Sequence, residues 1–342
     1  MSRAQLTSTD QQNSGGPVSP FVAGKNKIIN GDFGVWQRGT SFSNPAAGTY
    51  TADRFVVWHD GSGATRTISQ QAFTPGTAPV TGYEGSYFFR YDVSAVGTGN
   101  TYQNIEYPIE NVRTLAGQTA TISFWAKAAS SRNLSFIFAQ QFGSGGSSDV
   151  TFGSTTVALT TSWQRFTTTV SVPSIAGKTI GGNTNQLHIY FQLGALSGIT
   201  TIDLWGVQVE AGSVATPFTT ASGTLQGELA LCQRYYWRMG GDSPYQFFAS
   251  GIFTTTTNLR ALFTNPVPMR SAPSSIDFST YTNYWTSDGN YNYTPTGAFT
   301  IDRASSYVTD VNIPTSGATT PRAGQLFAQN STSAYIGFSA EL

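Results

Sequence analysis

Between residues 26 and 220 one pattern recurs: short runs with apolar side chains at alternate positions, separated by clusters of Gly, Ser, Asn and Pro. Successive side chains of a strand point to opposite faces, so such runs are stable only as sheets that bury one face. "ATISFWAKA" places Ile122, Phe124 and Ala126 on one face and Ser123, Trp125 and Lys127 on the other. "LHIYFQL" likewise separates Leu187, Ile189, Phe191 and Leu193 from His188, Tyr190 and Gln192. "NLSFIFAQQF", "TTSWQRFTTTVSVP" and "ITTIDLWGVQVE" repeat the pattern before Gly212 and Pro217 break it. Sheets of this kind pack face to face, and an all-β sandwich is expected over residues 26–220.

The flanks differ in composition. Residues 1–25 are polar and rich in Gln, Ser, Gly and Pro, a composition that cannot offset its own ordering entropy, and they read as an extended arm that needs a partner surface. In "SGTLQGELALCQRYYWRM" Leu225, Leu229, Cys232 and Tyr236 fall at helical spacing, with Ser222 or Thr224 as cap and Gly240-Gly241 as stop, so 221–241 reads as a connector helix. This stripe either packs within the chain or meets two copies of itself at an axis. Strand-like runs return over 242–342, punctuated by Pro266, Pro268, Pro273, Pro314 and Pro321, as a smaller C-terminal β domain at the distal tip.

Several function classes are disfavoured. Charged residues make up 11% of the chain and the formal net charge is zero, which lacks the basic footprint of a nucleic-acid binder. Cys232 is the lone cysteine, so no intrachain disulfide is expected. Neither a signal-peptide core nor an apolar run of membrane-spanning length occurs, and a soluble protein made in a cytoplasm is expected. No nucleophile elbow, phosphate loop or Cys/His metal spacing occurs, and His59 and His188 are the only histidines. The nearest carboxyl pairs are Glu106 with Glu110 and Asp203 with Glu210; the first two read as solvated face residues, and no catalytic residue is assigned.

A neutral surface rich in amides, hydroxyls and aromatic rings suits sugars better than ions. On that chemistry Trp125, Lys127, His188, Tyr190 and Gln192 form one candidate ligand face, with Gln140 or Gln141 from a neighbouring strand. The alternative places Trp125 and Tyr190 under a loop or against another subunit. In "DFSTYTNYWTSDGNYNYTPTG" Tyr281, Tyr284, Trp285, Tyr291 and Tyr293 alternate with small polar residues, as in antibody paratopes, and form a second candidate or else an interchain core. In "NGDF" Asn30 and Gly31 permit a tight turn, Phe33 and Trp36 plug the sandwich, and Arg38 and Arg54 are expected to pair with Asp32 and Asp53.

"IINGDFGVWQRGTSF", "YTADRFVVW", "SFWAKA", "SWQRF", "IDLWGVQVE" and "ELALCQRYYWR" together resemble the jelly-roll module of bacteriophage tail fibre and related virion proteins. That module is itself similar to the galactose-binding-like jelly rolls of carbohydrate-binding modules. The resemblance covers roughly residues 26–240 and implies a jelly-roll sandwich in a virion protein, homotrimeric about a fibre axis. It also implies attachment to other virion proteins through the N-terminal arm, and host-surface glycan recognition. Relatives of this kind carry a structural calcium, which maps to Gly31, Asp32, Phe33 and Asp203; calcium takes six to eight oxygens, and a chain this poor in carboxylates either fills that site or goes without it. The competing expectations are a purely structural virion component, such as a capsid decoration, head fibre or tail connector, and a polysaccharide depolymerase.

Overall fold

The computed structural model describes residues 23–342 apart from 81–82 and 196–197, so the expected arm falls almost wholly outside the described residues. The chain is nearly all β. The first twelve strands are β1 (Ser41–Ser43), β2 (Thr49–Tyr50), β3 (Val56–His59), β4 (Thr65–Ala72), β5 (Tyr87–Ala95), β6 (Gln103–Glu110), β7 (Thr119–Ala128), β8 (Arg132–Gln141), β9 (Val150–Leu159), β10 (Gln164–Ser171), β11 (Gln186–Gln192) and β12 (Thr200–Ala211). They form two six-stranded sheets, ordered β1-β4-β5-β12-β7-β10 and β2-β3-β6-β11-β8-β9.

The inner faces are those the alternation assigns: Ile122, Phe124 and Ala126 of β7 oppose Leu187, Ile189 and Phe191 of β11, all fully buried in one core. Phe124 meets Phe136 and Phe191 edge-on at 5.6 and 5.2 Å, a favourable aromatic geometry. Asn30 adopts a left-handed φ of 62°, and its amide closes the entry turn by donating to the carbonyls of Val35 and Asp53 and accepting from Val35 N–H.

The outer face of the first sheet is not open. Trp125, Trp205, Phe73, Phe88 and Phe218 form a second apolar cluster there, roofed by the β4–β5 connection and the segment after β12. A bulge in β12 between Trp205 and Gln208 makes room for it. Gly206 sits in that bulge at φ +64, where a Cβ would stand 2.6 Å from the Trp125 ring.

Helix α1 spans Leu225–Gln233, with Thr224 Oγ1 accepting from Gly227 N–H as its cap. It is shorter than the 221–241 expectation, because Tyr236–Gly240 is strand β13, paired with the last strand of the fold. Only half of the apolar stripe is buried: Leu225 and Leu229 are 65% and 36% exposed, while Cys232 and Tyr236 lie inside. The buried anchor is Glu228, whose carboxylate accepts from Asn30 N–H, Ser222 N–H and Ser222 Oγ at 2.6–2.7 Å.

The remaining strands are β14 (Phe247–Thr255), β15 (Asn258–Thr264), β16 (Ser275–Phe278), β17 (Tyr284–Ser287), β18 (Asn292–Tyr293), β19 (Thr300–Ala304), β20 (Val308–Pro314), β21 (Arg322–Ala328) and β22 (Tyr335–Ser339). A three-stranded sheet, β13-β22-β16, and a seven-stranded sheet, β18-β17-β21-β14-β15-β20-β19, enclose a separate core that includes Phe253, Val311, Leu326 and Phe338.

Charged groups bind this unit to the sandwich. Glu341 pairs with Arg54 and, at 3.3 Å, with Arg38, so the partner of both arginines is this distant acid rather than Asp32 or Asp53. Arg54 is buried, stacks 3.5 Å over Tyr235 and donates to the Pro108 carbonyl. Asp53 is instead held by the backbone and side chain of Gln37.

Candidate functional site

The strand registers bring the outward-facing side chains of the second sheet into rows. Val56 faces Glu106, which faces Tyr190, while Trp58 faces Asn104, which faces Gln192. His188 lies beside Tyr190 along β11, its ring stacked on the tyrosine at 4.3 Å and 8°. Trp58, 41% exposed, lies against Gly48, where a Cβ would come within 3.2 Å of the indole. A cavity of about 380 Å³ opens here, lined by Tyr50, Trp58, Glu106, Gln186, His188 and Tyr190 among others.

Its polar groups are buried but incompletely paired. Glu106 accepts from Asn104 Nδ2 at 2.9 Å through one oxygen, and its other oxygen lies 3.1 Å from His188 Nε2 without the alignment of a hydrogen bond. Gln186 Nε2 donates to Gln141 Oε1, and Gln141 Nε2 donates to Tyr190 Oη at 2.9 Å. Asn104 Oδ1 and Gln186 Oε1 have no partner, although both residues are at least nine-tenths buried. A buried polar atom without a partner costs about 1–3 kcal/mol; both oxygens are closed off from the cavity, so that cost falls on the folded protein rather than on a ligand contact. Burial, followed by the nearby Glu106 and then Asp149, pushes the Tyr190 phenol up to about 12, so it stays protonated and can donate.

A larger cavity of about 870 Å³ lies between α1 and the end of β6. Most of its polar groups are engaged, Glu110 with Arg234 and Tyr235, Arg54 with Glu341, and Asn26 with the Val207 and Thr219 carbonyls, while Arg54 Nε has no partner. The smaller cavity differs in having a partly exposed indole, Trp58, and the stacked His188 and Tyr190 rings beside its polar groups.

The sequence-derived candidates separate as follows. His188, Tyr190 and Gln192 share the outer face of the second sheet, with Gln141 from β8 beside them. Trp125 and Lys127 do not join them: they lie on the other sheet, Trp125 in the roofed cluster and Lys127 3.5 Å from Asp203. Gln140 points inward and donates to the Pro173 carbonyl. Glu106 is buried rather than solvated, because the row of Tyr190 and His188 covers it. Glu110 is held by Arg234 and Tyr235. Glu210 is likewise buried; burial pushes its carboxyl up, but hydrogen bonds from Thr216 and Gln208, aided by Lys25, leave it below the usual carboxylate range.

In the C-terminal unit Tyr284 is a core residue, its hydroxyl between Ser279 and the Tyr335 carbonyl, and cannot contact a ligand. Tyr281 and Tyr291 are exposed, while Trp285 lies half-buried against Tyr245 and Phe327.

The four calcium candidates have other partners. Gly31 O accepts from Val207 N–H, and Phe33 O accepts from Trp36 and Gln70. Asp203 is bidentate with Arg90 at 2.7 and 2.9 Å. Asp32 contacts Tyr83, and burial together with the nearby Glu228 raises its pKa. Among the described residues no three His, Cys, Asp or Glu side chains converge on a metal position, and no helix is long and apolar enough to cross a membrane.

Trp58 and Gln186 are site residues that sequence reasoning missed. For Trp58 the signal was present: in "RFVVWHD" Phe55 and Val57 are inward, which turns Val56 and Trp58 outward.

No family model and no curated protein matches the chain. Among solved structures it is similar to a family 4 carbohydrate-binding module (22% identity over 54% of this chain and all of that one, TM-score 0.34). It is also similar to the family 11 module of Clostridium thermocellum in complex with a β-1,3-1,4-mixed-linked tetrasaccharide (12% identity, 52% of this chain and 98% of that one, TM-score 0.32). A third similarity is to the enzymatically active domain of tailspike protein 4 of bacteriophage CBA120 (16% identity, TM-score 0.35), where the match covers 57% of this chain and 22% of the tailspike chain.

Proposed function

We propose that the chain is a glycan-binding protein that uses the outer face of its second sheet, and that it serves as a virion component of the tail fibre type in host adsorption. The observation that carries the binding reading is the partly exposed Trp58 beside a cavity lined by Tyr50, Glu106, Gln141, Gln186, His188 and Tyr190. An aromatic face beside amide groups offers a pyranose ring stacking on its C–H face and partners for its hydroxyls. The virion assignment rests on the sequence resemblance of residues 26–240. We read the site as non-catalytic: the acids that a depolymerase would need are tied to Asn104, Arg234, Arg90 and Thr216.

The test is glycan-array screening followed by titration calorimetry. Trp58→Ala and Tyr190→Ala are each expected to weaken binding about 5–30-fold, or roughly 1–2 kcal/mol, with circular dichroism unchanged. Blocking of phage adsorption by the purified protein tests the role in infection. Retained affinity in both variants, or no bound glycan, overturns the reading.

One observation favours the purely structural alternative. Phe247, Ile252 and Leu262 stand about half exposed on the outer face of the seven-stranded sheet, where another copy or another virion protein would cover them. Light scattering that gives a trimer, dispersed by Leu262→Asp, supports that surface as an assembly contact; a monomer at micromolar concentration counts against it.

A further inference from the structure

The floor of the second-sheet cavity is biased in its hydrogen bonding. Glu106 has one neighbour at each oxygen and retains unused lone pairs. Gln186 Oε1 has no partner but is closed off from the cavity. Gln141 is used at both ends, by Gln186 and by Tyr190, and the Leu342 carbonyl already accepts from Tyr50 Oη. The donors left without an acceptor at the floor include Tyr190 Oη and, when its proton sits on Nε2, His188.

No Lys or Arg lines the cavity. Arg54, which reaches the Pro108 carbonyl behind the wall, is matched by Glu341. The titratable groups facing Glu106 are therefore His188, Tyr190 and Tyr50. A buried carboxylate without a fixed cation is stabilised by a partner that brings positive charge and several donors, and an ammonium group brings both.

Building on the glycan-binding reading, we infer that this cavity selects glycans carrying an unacylated amino group, with the sugar ammonium seated against Glu106 and the ring against Trp58 and Tyr190. A neutral hydroxyl supplies one donor and no charge, and an acetamido group supplies one donor with added bulk. A uronic or other carboxylated sugar would face Glu106 with like charge.

The test is calorimetry at a pH where the amine is protonated, with three oligosaccharides of the same length and β-1,4 linkage built from glucosamine, N-acetylglucosamine and glucose. The glucosamine oligomer is expected to bind at least tenfold more tightly than the other two, and Glu106→Gln is expected to reduce that preference to threefold or less. If Glu106→Gln fails to fold, titration of the wild-type protein at a pH above that at which the sugar amine loses its proton is expected to lower the preference to threefold or less. Equal or tighter neutral binding that Trp58→Ala abolishes overturns amino-sugar selection and leaves glycan binding on this face standing. A preference that survives Glu106→Gln unchanged also overturns the inference. Failure of all three oligomers to bind overturns the glycan reading and this inference with it.

Discussion

Replacing Glu341 by alanine tests how the C-terminal unit is joined to the sandwich. The carboxylate is buried against Arg54, whose side chain is 1% exposed, and lies 3.3 Å from Arg38. Without it, Arg54 keeps the Pro108 carbonyl and the Tyr235 ring but no negative partner. Removing one member of a buried pair leaves an uncompensated charge, a loss of about 3–5 kcal/mol. An exposed pair would lose about 1 kcal/mol or less, so burial determines the prediction. Urea denaturation followed by tryptophan fluorescence measures it, since Trp36 lies in the sandwich core and Trp237 in the other. The double replacement Arg54→Met with Glu341→Leu removes both charges and is expected to recover most of the loss, because the desolvation cost disappears with them. A loss below about 1 kcal/mol in Glu341→Ala, or a double variant no better than the single, refutes the argument. Because Tyr50 and Leu342 border the candidate cavity and are joined by a 3.2 Å hydrogen bond, Glu341→Ala is also expected to weaken glycan binding.

Trp125→Ala is expected to cost about 3–5 kcal/mol in chemical denaturation, because the ring packs with Trp205 and Phe218; it should leave the affinity of the remaining folded protein unchanged, and a pure affinity loss would place a ligand on the wrong sheet. Burial holds the Asp53 carboxyl at about 6, against an ordinary 3.8, despite Arg38 and Gln37. The folded state thus binds this proton more tightly, so the contribution of Asp53 to stability is greatest below pH 4 and declines by roughly 3 kcal/mol as pH rises to 6. Denaturation midpoints of wild type and Asp53→Asn between pH 4 and 7 check this, since the variant should lack that decline. Gly206→Ala forces a Cβ toward Trp125 at a positive φ and is expected to cost about 1–3 kcal/mol, measured by thermal melting.

Alternation of side chains along a strand is a local property, and the sequence carries it in full. It assigns Ile122, Phe124 and Ala126 to the core and groups His188, Tyr190 and Gln192 on one outward face. The entry turn at Asn30 and the cap at Thr224 are equally local, depending on backbone angles and hydrogen bonds a few residues apart.

Period-two patterning states that a side chain leaves the core, but not what meets it there. Trp125 and Tyr190 look alike in sequence; one lies beneath residues of the β4–β5 connection and the segment after β12, the other beside an open cavity, because only the first sheet acquires a roof. The same limit applies to Tyr284, buried by a strand that pairs more than forty residues later. Glu106, His188 and Trp58 converge through the pairing of β3, β6 and β11, a register set by the whole sheet. Arg54 finds Glu341 across 287 positions, since a chain poor in charge satisfies a buried cation with whichever carboxylate the fold delivers. Short-range order was therefore legible in the residues, while the cavity and the junction between the two units arise only when distant strands are brought together.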